Sequence, residues 1–371
     1  MSTMHLVAFN VPFPPNQGGV IDVYAKIKAL KAKGVDIILH AYLYDRPEAK
    51  ILEELCFKVY YYPRNKSISD LFSFLPFIVF SRRDENLYDR LMADDYPILL
   101  EGLHSCFWLG EKGFGNKKVW VRAHNIEHDY YAGLAKVERS IAKKLFFALE
   151  SFKLKRYEKV LSKATGIFCI AKSEIEHYKK YNKNVELLSA FHLKDKVSTL
   201  PGLGTYALYH GSLDVAENEN AAFWLIDKLG PQNIPLKIAG NNASSVLKGV
   251  CRKYPSIELV SPINTIEMEE LIRNAQVHVL PTFQNTGIKL KLLHALFNGR
   301  FSVVNKEMVE GSGLEKYCKV ASTTKEFVEL VKVCLQDEFS NSDLELRKQL
   351  ETSIYSNEVN VEKLISVLQL R

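Results

Sequence analysis

The sequence predicts an α/β protein made of two Rossmann-like, doubly wound parallel-sheet domains. Three observations carry that expectation. Short apolar runs of strand length alternate with helical patterns along the whole chain, as successive β–α–β units require. The alternation fails once, in "HLKDKVSTLPGLGTY" (192–206), where Pro, Gly, Ser and Thr gather, and then restarts. Finally, 371 residues are too many for one ordinary core and divide into two domains of about 150–200 residues each.

The elements follow in order. Residues 5–9 read as a buried strand, a Pro/Gly loop follows, and a helix runs over about 19–33 until Gly34 stops it. Residues 35–42 return as a second strand, and 58–62, 98–100, 119–123 and 166–170 supply more. A Lys- and Arg-rich helical tract over 131–164 separates the last two. Beyond the break, "YALYHG", "LKIAG", "IELVS", "VHVLP" and "FSVVN" are strands, with helices near 220–228 and 266–274. A terminal helix over about 357–370 comes after the strands are used up. The expected boundaries are 1–195, 205–355 and a terminal 356–371 segment that packs back on the first domain.

Composition narrows the function classes. The chain is 47% hydrophobic and 25% charged with a net charge of +6, mildly basic, which suits an anionic ligand or membrane surface. No nucleic-acid reader motif accompanies the basic residues, so a nucleic-acid partner is not expected. The six cysteines, Cys56, Cys106, Cys169, Cys251, Cys318 and Cys334, show no C-x-x-C spacing. That argues against a zinc site or disulfide framework and fits a reducing cytoplasm. "MSTMHLVAFNVPFPP" lacks the pattern of a signal peptide, and no uncharged apolar run reaches membrane-spanning length.

In an open parallel sheet, ligands bind at the carboxyl ends of strands, beside helix N-termini. Four segments lie there. In "NVPFPPNQGGVIDVYAKIKAL", Gly18 and Gly19 open a helix and permit close approach of an anion; the pattern is not G-x-G-x-x-G, so a nicotinamide dinucleotide is not expected. In "YHGSLDVAENENAAFWL", Gly211 and Ser212 follow a strand, with Asn218 or Asn220 capping the next helix. In "TGIKLKLLHALFNGRFSVV", Lys289 sits in the first helical turn, where a cation opposes the macrodipole by about 0.3–1 kcal/mol unless a phosphate is bound. Lys291, His294 and Asn298 share one side of that helix, and Lys291 reads most simply as a solvated lysine. In "VWVRAHNIEHDYYAGLA", Arg122, His124, Asn125, Glu127 and His128 crowd a strand end; the spacing of the two histidines does not by itself make a metal site.

Taken together and in this order, these segments resemble the two-domain GT-B glycosyltransferases, most closely the large retaining group called family 4. "PFPPNQGG" is similar to that family's glycine loop, "VRAHNIEHDYY" to its R-x-H-N-x-E segment, and "GSLDVAENENAAFWL" to the opening of its nucleotide domain. "IAG" fits the next strand, and "GIKLKLLHALFNGRFSVV" resembles the donor-site helix. The resemblance implies a GT-B fold, with the two sheets facing across a cleft that holds a nucleotide-diphosphate sugar. It implies transfer with retention, without a metal or resident cofactor. His124 and Lys289 would be catalytic: His124 facing the sugar, Lys289 stabilising the departing diphosphate. Gly18, Gly19, Gly211, Ser212, Thr286, Gly287, Ile288, Leu290 and His294 would line the donor, and Arg122, Asn125 and Glu127 the sugar or acceptor side. Thr286 and His294 stand where the family often carries two glutamates, and a neutral imidazole accepts one hydrogen bond where a carboxylate accepts two.

The resemblance further implies a glycan or lipid-linked acceptor in bacterial surface polysaccharide synthesis, on the inner face of a membrane. "SDLFSFLPFIVFSRRDE", whose apolar and aromatic residues are followed by Arg82 and Arg83, and the basic tract 136–163 suit peripheral contact with an anionic bilayer. Two other readings share the fold: a non-catalytic GT-B partner or regulatory protein with a degenerate donor site, and a nucleotide-sugar 2-epimerase, for which Glu127 and its neighbouring histidines would be the acid–base groups.

Overall fold

A computed structural model describes residues 2–65, 67, 70, 73–138, 140–283 and 290–370. Thr286, Gly287, Ile288 and Lys289 lie outside the described residues. The chain divides into two compact units, residues 1–192 with 354–371, and residues 193–353.

In the first unit, seven parallel strands are found among the described residues: β1 (Thr3–Ala8), β2 (Asp36–Leu43), β3 (Lys58–Pro63), β4 (Ile98–Glu101), β5 (Val119–Ala123), β6 (Gly166–Cys169) and β7 (Val185–Leu187). Their spatial order is β3-β2-β1-β4-β5-β6-β7. In the second unit, six are found: β8 (Ala207–His210), β9 (Leu236–Ala239), β10 (Ile257–Val260), β11 (Val277–Leu280), β12 (Phe301–Asn305) and β13 (Lys319–Ala321), ordered β10-β9-β8-β11-β12-β13. Both orders start in the middle and reverse beside the first strand, the doubly wound arrangement with switch points between β1 and β4 and between β8 and β11. Strands β4, β5, β8 and β11 are buried along their whole length, which explains their unbroken apolar runs. The sequence reading did not identify β7 and β13, which are three-residue edge strands too short to show a period.

Local signals account for most element ends. The helix Gly18–Ala32 stops because Gly34 takes φ +74°, letting Gly34 and Val35 donate back to Lys31 and Leu30. Helix Thr265–Asn274 begins in a reciprocal capping box between Asn264 and Glu267. The expected single tract over 131–164 is instead a helical hairpin, Glu127–Val137 followed by Ile141–Tyr157, and then a 3₁₀ segment, Glu158–Lys163. The first helix ends where Glu138 turns extended (ψ 133°) and its carboxylate accepts from Ser140 N. The terminal helix Asn357–Leu368 belongs to the first unit: Asn357 Nδ2 donates to His192 O at 2.7 Å, and Lys33 pairs with Glu362 at 2.7 Å and with Glu358.

Candidate functional site

The carboxyl ends of β4 and β5 carry a buried ionic network beneath the helix Gly18–Ala32. Asp22 and Lys26 face inward one turn apart. Lys26 Nζ lies 3.2 Å from Asp22 Oδ2 and 2.5 Å from Glu101 Oε1 at the end of β4. Arg122 on β5 grips Asp22 through two bonds of 3.0 and 3.1 Å and donates to the carbonyls of Leu188 and Ser189 at 2.6 and 2.9 Å. Asp22 Oδ1 also accepts from Phe191 N at 2.6 Å. His124 Nε2 lies 2.8 Å from Glu101 Oε2. Burial alone would raise the carboxyl pKa values, but Arg122 and Lys26 hold Asp22, and Lys26 and His124 hold Glu101, below their ordinary range.

This network assigns structural roles to several sequence candidates. Arg122 is fully buried and its guanidinium is committed to Asp22 and two carbonyls, so it ties the segment 188–191 to the sheet rather than facing the sugar or acceptor side. Gly19 is needed for packing: a Cβ there would stand 2.8 Å from Phe9 Cζ, and the Phe9 ring in turn meets His124 edge-on at 5.4 Å. Gly18 is exposed at the helix start, where Gln17 gives no side-chain cap and the first turn holds no acidic residue, so unsatisfied N–H groups point outward. His124, 9% exposed, is anchored through Nε2, and its ring edge completes the rim of the network.

A second cluster lies one helical turn further on. Glu127 is buried and its carboxyl is pushed up to about 8, by desolvation first and then by the neighbouring Glu174 and Glu158. Glu174 is pushed up to about 7 by burial. Glu127 and Asn125 line a small void with Leu103, Val121, Glu158 and Tyr178. Glu158 accepts from His128 Nδ1 at 2.9 Å, His177 Nε2 at 3.1 Å and the Tyr181 hydroxyl at 3.1 Å. Among the described residues two groups could gather ligand atoms around a cation, His128–Glu158–His177 and Asp22–Glu101–His124. The latter already contains Lys26 and Arg122 as counter-charges.

In the second unit, the loop after β8 approaches the loop after β9 so closely that a Cβ on Gly240 would fall 1.9 Å from Gly211 O. The helix there is Ala216–Leu229, so Asn218 lies in its first turn and does not cap it, and Asn220 lies further along. Instead Asn218 Nδ2 donates to Ser212 O at 2.9 Å, and Asn218 Oδ1 accepts from Lys291 Nζ at 2.9 Å. Lys291, read from the sequence as a solvated lysine, therefore stands at the Gly211–Ser212 loop, 5.0 Å from the centre of the Tyr209 ring. The helix Leu290–Asn298, which follows β11 in the chain, carries it there, and Leu290 is its first described residue.

His294 faces Glu269, with Nε2 2.9 Å from Oε1, and the same carboxylate pairs with Lys194 at 2.7 Å. His294 also stands edge-on to His210, which packs against His278. Burial pushes His210 well below the usual histidine range and His278 to about 3, so both are neutral. Sequence reasoning missed Asp22, Lys26, Glu101, Glu158 and Glu269. A signal existed for three of them: charges at 22 and 26 on the apolar face of "VIDVYAKIKAL", and a carboxylate closing the apolar run "ILLE".

No family model matches the chain. A protein from Klebsiella pneumoniae described as an uncharacterized 44.6 kDa protein in the cps region is 27% identical over 334 residues, 84% of this chain and 85% of that one. Among solved structures, sucrose-phosphate synthase from Thermosynechococcus elongatus is similar over 100% of this chain and 98% of its own, at TM-score 0.72 and 15% identity. TarM of S. aureus, solved with UDP and α-GlcNAc-glycerol, covers 99% of this chain and 100% of its own at TM-score 0.66 and 8% identity. The catalytic domain of starch synthase IV from Arabidopsis thaliana, bound to ADP and acarbose, covers 100% and 99% at TM-score 0.60 and 11% identity. The fold is that of the GT-B glycosyltransferases. At these identities the likeness establishes the two-domain Rossmann-like architecture.

Proposed function

We propose that the protein transfers a sugar from a nucleotide-diphosphate sugar to a glycan or lipid-linked acceptor, with retention and without a metal, in bacterial surface polysaccharide synthesis. The observation that carries the reading is Lys291 beside Asn218 at the Gly211–Ser212 loop. It sets a cation at the carboxyl end of β8, where an open parallel sheet binds phosphates. Structural relatives solved with UDP or ADP, and a sequence relative from a cps region, support the same class.

In this mechanism the second unit holds the donor. The diphosphate meets Gly211, Ser212 and Lys291, and the resemblance adds Thr286, Gly287, Ile288 and Lys289 to the donor side. As the sugar–phosphate bond breaks, charge grows on the leaving diphosphate, and cations fixed beforehand stabilise it without reorganising. In the first unit, the helix start at Gly18 offers outward N–H groups, and His124, held by Glu101, presents its ring to the sugar. Glu127, protonated at neutral pH, keeps the acceptor side free of negative charge beside Asn125. The acceptor's lipid would bring the protein to the inner face of a membrane.

Calorimetric titration with UDP, GDP, ADP, CMP and dTDP tests this. Micromolar binding of one diphosphate is expected, and sugar transfer should fall at least about a hundredfold in His124→Ala with that binding unchanged. Binding of none of the five would sink the reading.

A second reading has its own observation: His294, where the resemblance expects a ribose-binding carboxylate, is paired with Glu269. A non-catalytic GT-B protein would bind no diphosphate as it stands and gain binding in His294→Glu/Glu269→Gln, which puts the carboxylate back without a like-charged neighbour.

A further inference from the structure

The helix Ile141–Tyr157 is apolar on two opposite faces, and only one of them is packed. On the inner face Leu154 is fully buried and Phe146 and Phe147 meet Phe77 and Tyr131 edge-on. Glu150, the helix's one acidic residue, is buried there too, accepting from Phe77 N at 2.7 Å and pairing with Lys153 at 3.3 Å. On the other face Ile141 is 77% exposed, Leu145 66%, Leu149 51% and Phe152 58%. At helical spacing these four fall within an arc of roughly 80°, a continuous stripe about 16 Å long. A helix facing only water does not carry four large apolar side chains in register, so the stripe is made for a partner.

Charge identifies that partner. Lys143, Lys144, Lys155 and Arg156 are all exposed on the same helix, while its carboxylate is turned inward, so an exposed acid is absent from these described residues. Lys144 and Lys155 line one edge of the stripe and Arg156 extends it. An apolar stripe whose own helix exposes cations and no acid fits a surface that is oily beneath and anionic above. We propose that this face docks on an anionic lipid bilayer. Ile141, Leu145, Leu149 and Phe152 enter the boundary between headgroups and acyl chains, and Lys144, Lys155 and Arg156 meet lipid phosphates.

The inference narrows the membrane contact expected from the sequence and removes part of it. Arg82 is buried, donating to Phe9 O at 2.9 Å and to Ile78 O, and Arg83 is paired bidentately with Asp70 at 2.9 and 3.0 Å. Neither forms a lipid-facing patch. The proposal rests on the helix surface alone and holds whether or not the protein transfers sugar.

The test is co-sedimentation of the full chain with phosphatidylcholine vesicles, with and without phosphatidylglycerol, at low and high salt. Retention is expected only with phosphatidylglycerol, falling as salt rises. Leu145→Ser/Leu149→Ser and Lys144→Glu/Lys155→Glu should each cut it by about tenfold or more. All four positions are exposed, and unchanged thermal melting and diphosphate titration would show that both variants fold. No retention on the mixed vesicles, or retention unaltered in both variants, overturns the proposal. So does a dimer that the Leu145/Leu149 variant dissociates in sedimentation velocity without any vesicle binding, which would assign the stripe to a second copy of the chain.

Discussion

Lys26 Nζ and Glu101 Oε1 lie 2.5 Å apart with neither side chain exposed to solvent. The pair joins the helix after β1 to the end of β4, across the switch point of the first sheet. Removing one charge from such a pair leaves the other buried and uncompensated. Lys26→Met is therefore expected to lower unfolding free energy by about 3–5 kcal/mol. Lys26→Met/Glu101→Gln, which also removes the stranded carboxylate, should recover a substantial part. Urea denaturation of the two variants checks this. A double variant no more stable than the single one would show that Glu101 is not what Lys26 neutralises.

Why the fold was legible and the network was not follows from this pair. Strands such as Val119–Ala123 announce themselves because both faces are buried and every residue must suit that environment. The capping box at Asn264 and the stop at Gly34 are equally local. Lys26 and Glu101 are 75 positions apart, and only the strand order β1-β4-β5 brings them together. Lys291 was misread for the same reason: its neighbour Asn218 is 73 positions away, so its helix position alone read as solvated. Arg122 and Glu127 stand out in the sequence by the density of polar groups around them, but residue density cannot separate a side chain that braces the sheet from one that faces a ligand.

Lys291 carries the next prediction. A charge-assisted hydrogen bond contributes about 1.5–3 kcal/mol, so Lys291→Met is expected to weaken diphosphate binding by about 10–100-fold. Thermal stability should change little, because the side chain is only partly buried. Calorimetry with the diphosphate that wild type binds supplies the readout. Unchanged affinity in Lys291→Met, together with loss in Lys289→Met, would transfer the role to Lys289.

Glu127 gives a pH signature. Its folded pKa is about 8, above the ordinary 4.5, chiefly through burial. Between those values the unfolded chain has given up the proton and the folded chain keeps it. The unfolded state then binds fewer protons, and stability falls as pH rises from about 4.5 to about 8, then levels off. The penalty at pH 7 is on the order of 2–4 kcal/mol. Glu127→Gln, an isostere of the protonated acid, should remove it: the variant would be more stable than wild type at pH 8, and the gap should shrink toward pH 5. Glu174, pushed up to about 7, contributes in the same direction and remains in both proteins. A wild-type stability curve parallel to that of Glu127→Gln from pH 5 to 8 would refute the assignment. A residue retained at the expense of stability fits a site better than a brace.

Glu269 runs the other way. Burial raises its carboxyl, but His294 and Lys194 outweigh that and hold it at about 2. Its folded pKa lies below the unfolded value, so its contribution is present above about 4.5 and is lost as pH falls toward 2. Because the carboxylate is partly exposed, solvent screening limits the contribution to about 1–2 kcal/mol. Glu269→Gln should therefore lower stability at pH 7 and converge on wild type only as pH nears 2, measured by denaturant unfolding at each pH. The pair also decides how His294 can be altered. His294→Glu alone would set two carboxylates within contact distance, where like charges disfavour ionisation of both. That single variant should be less stable at pH 7 than at pH 5, and adding Glu269→Gln should restore the loss. If instead His294→Glu is as stable as wild type at pH 7, then Glu269 does not face position 294, and the arrangement that takes His294 away from the donor is wrong.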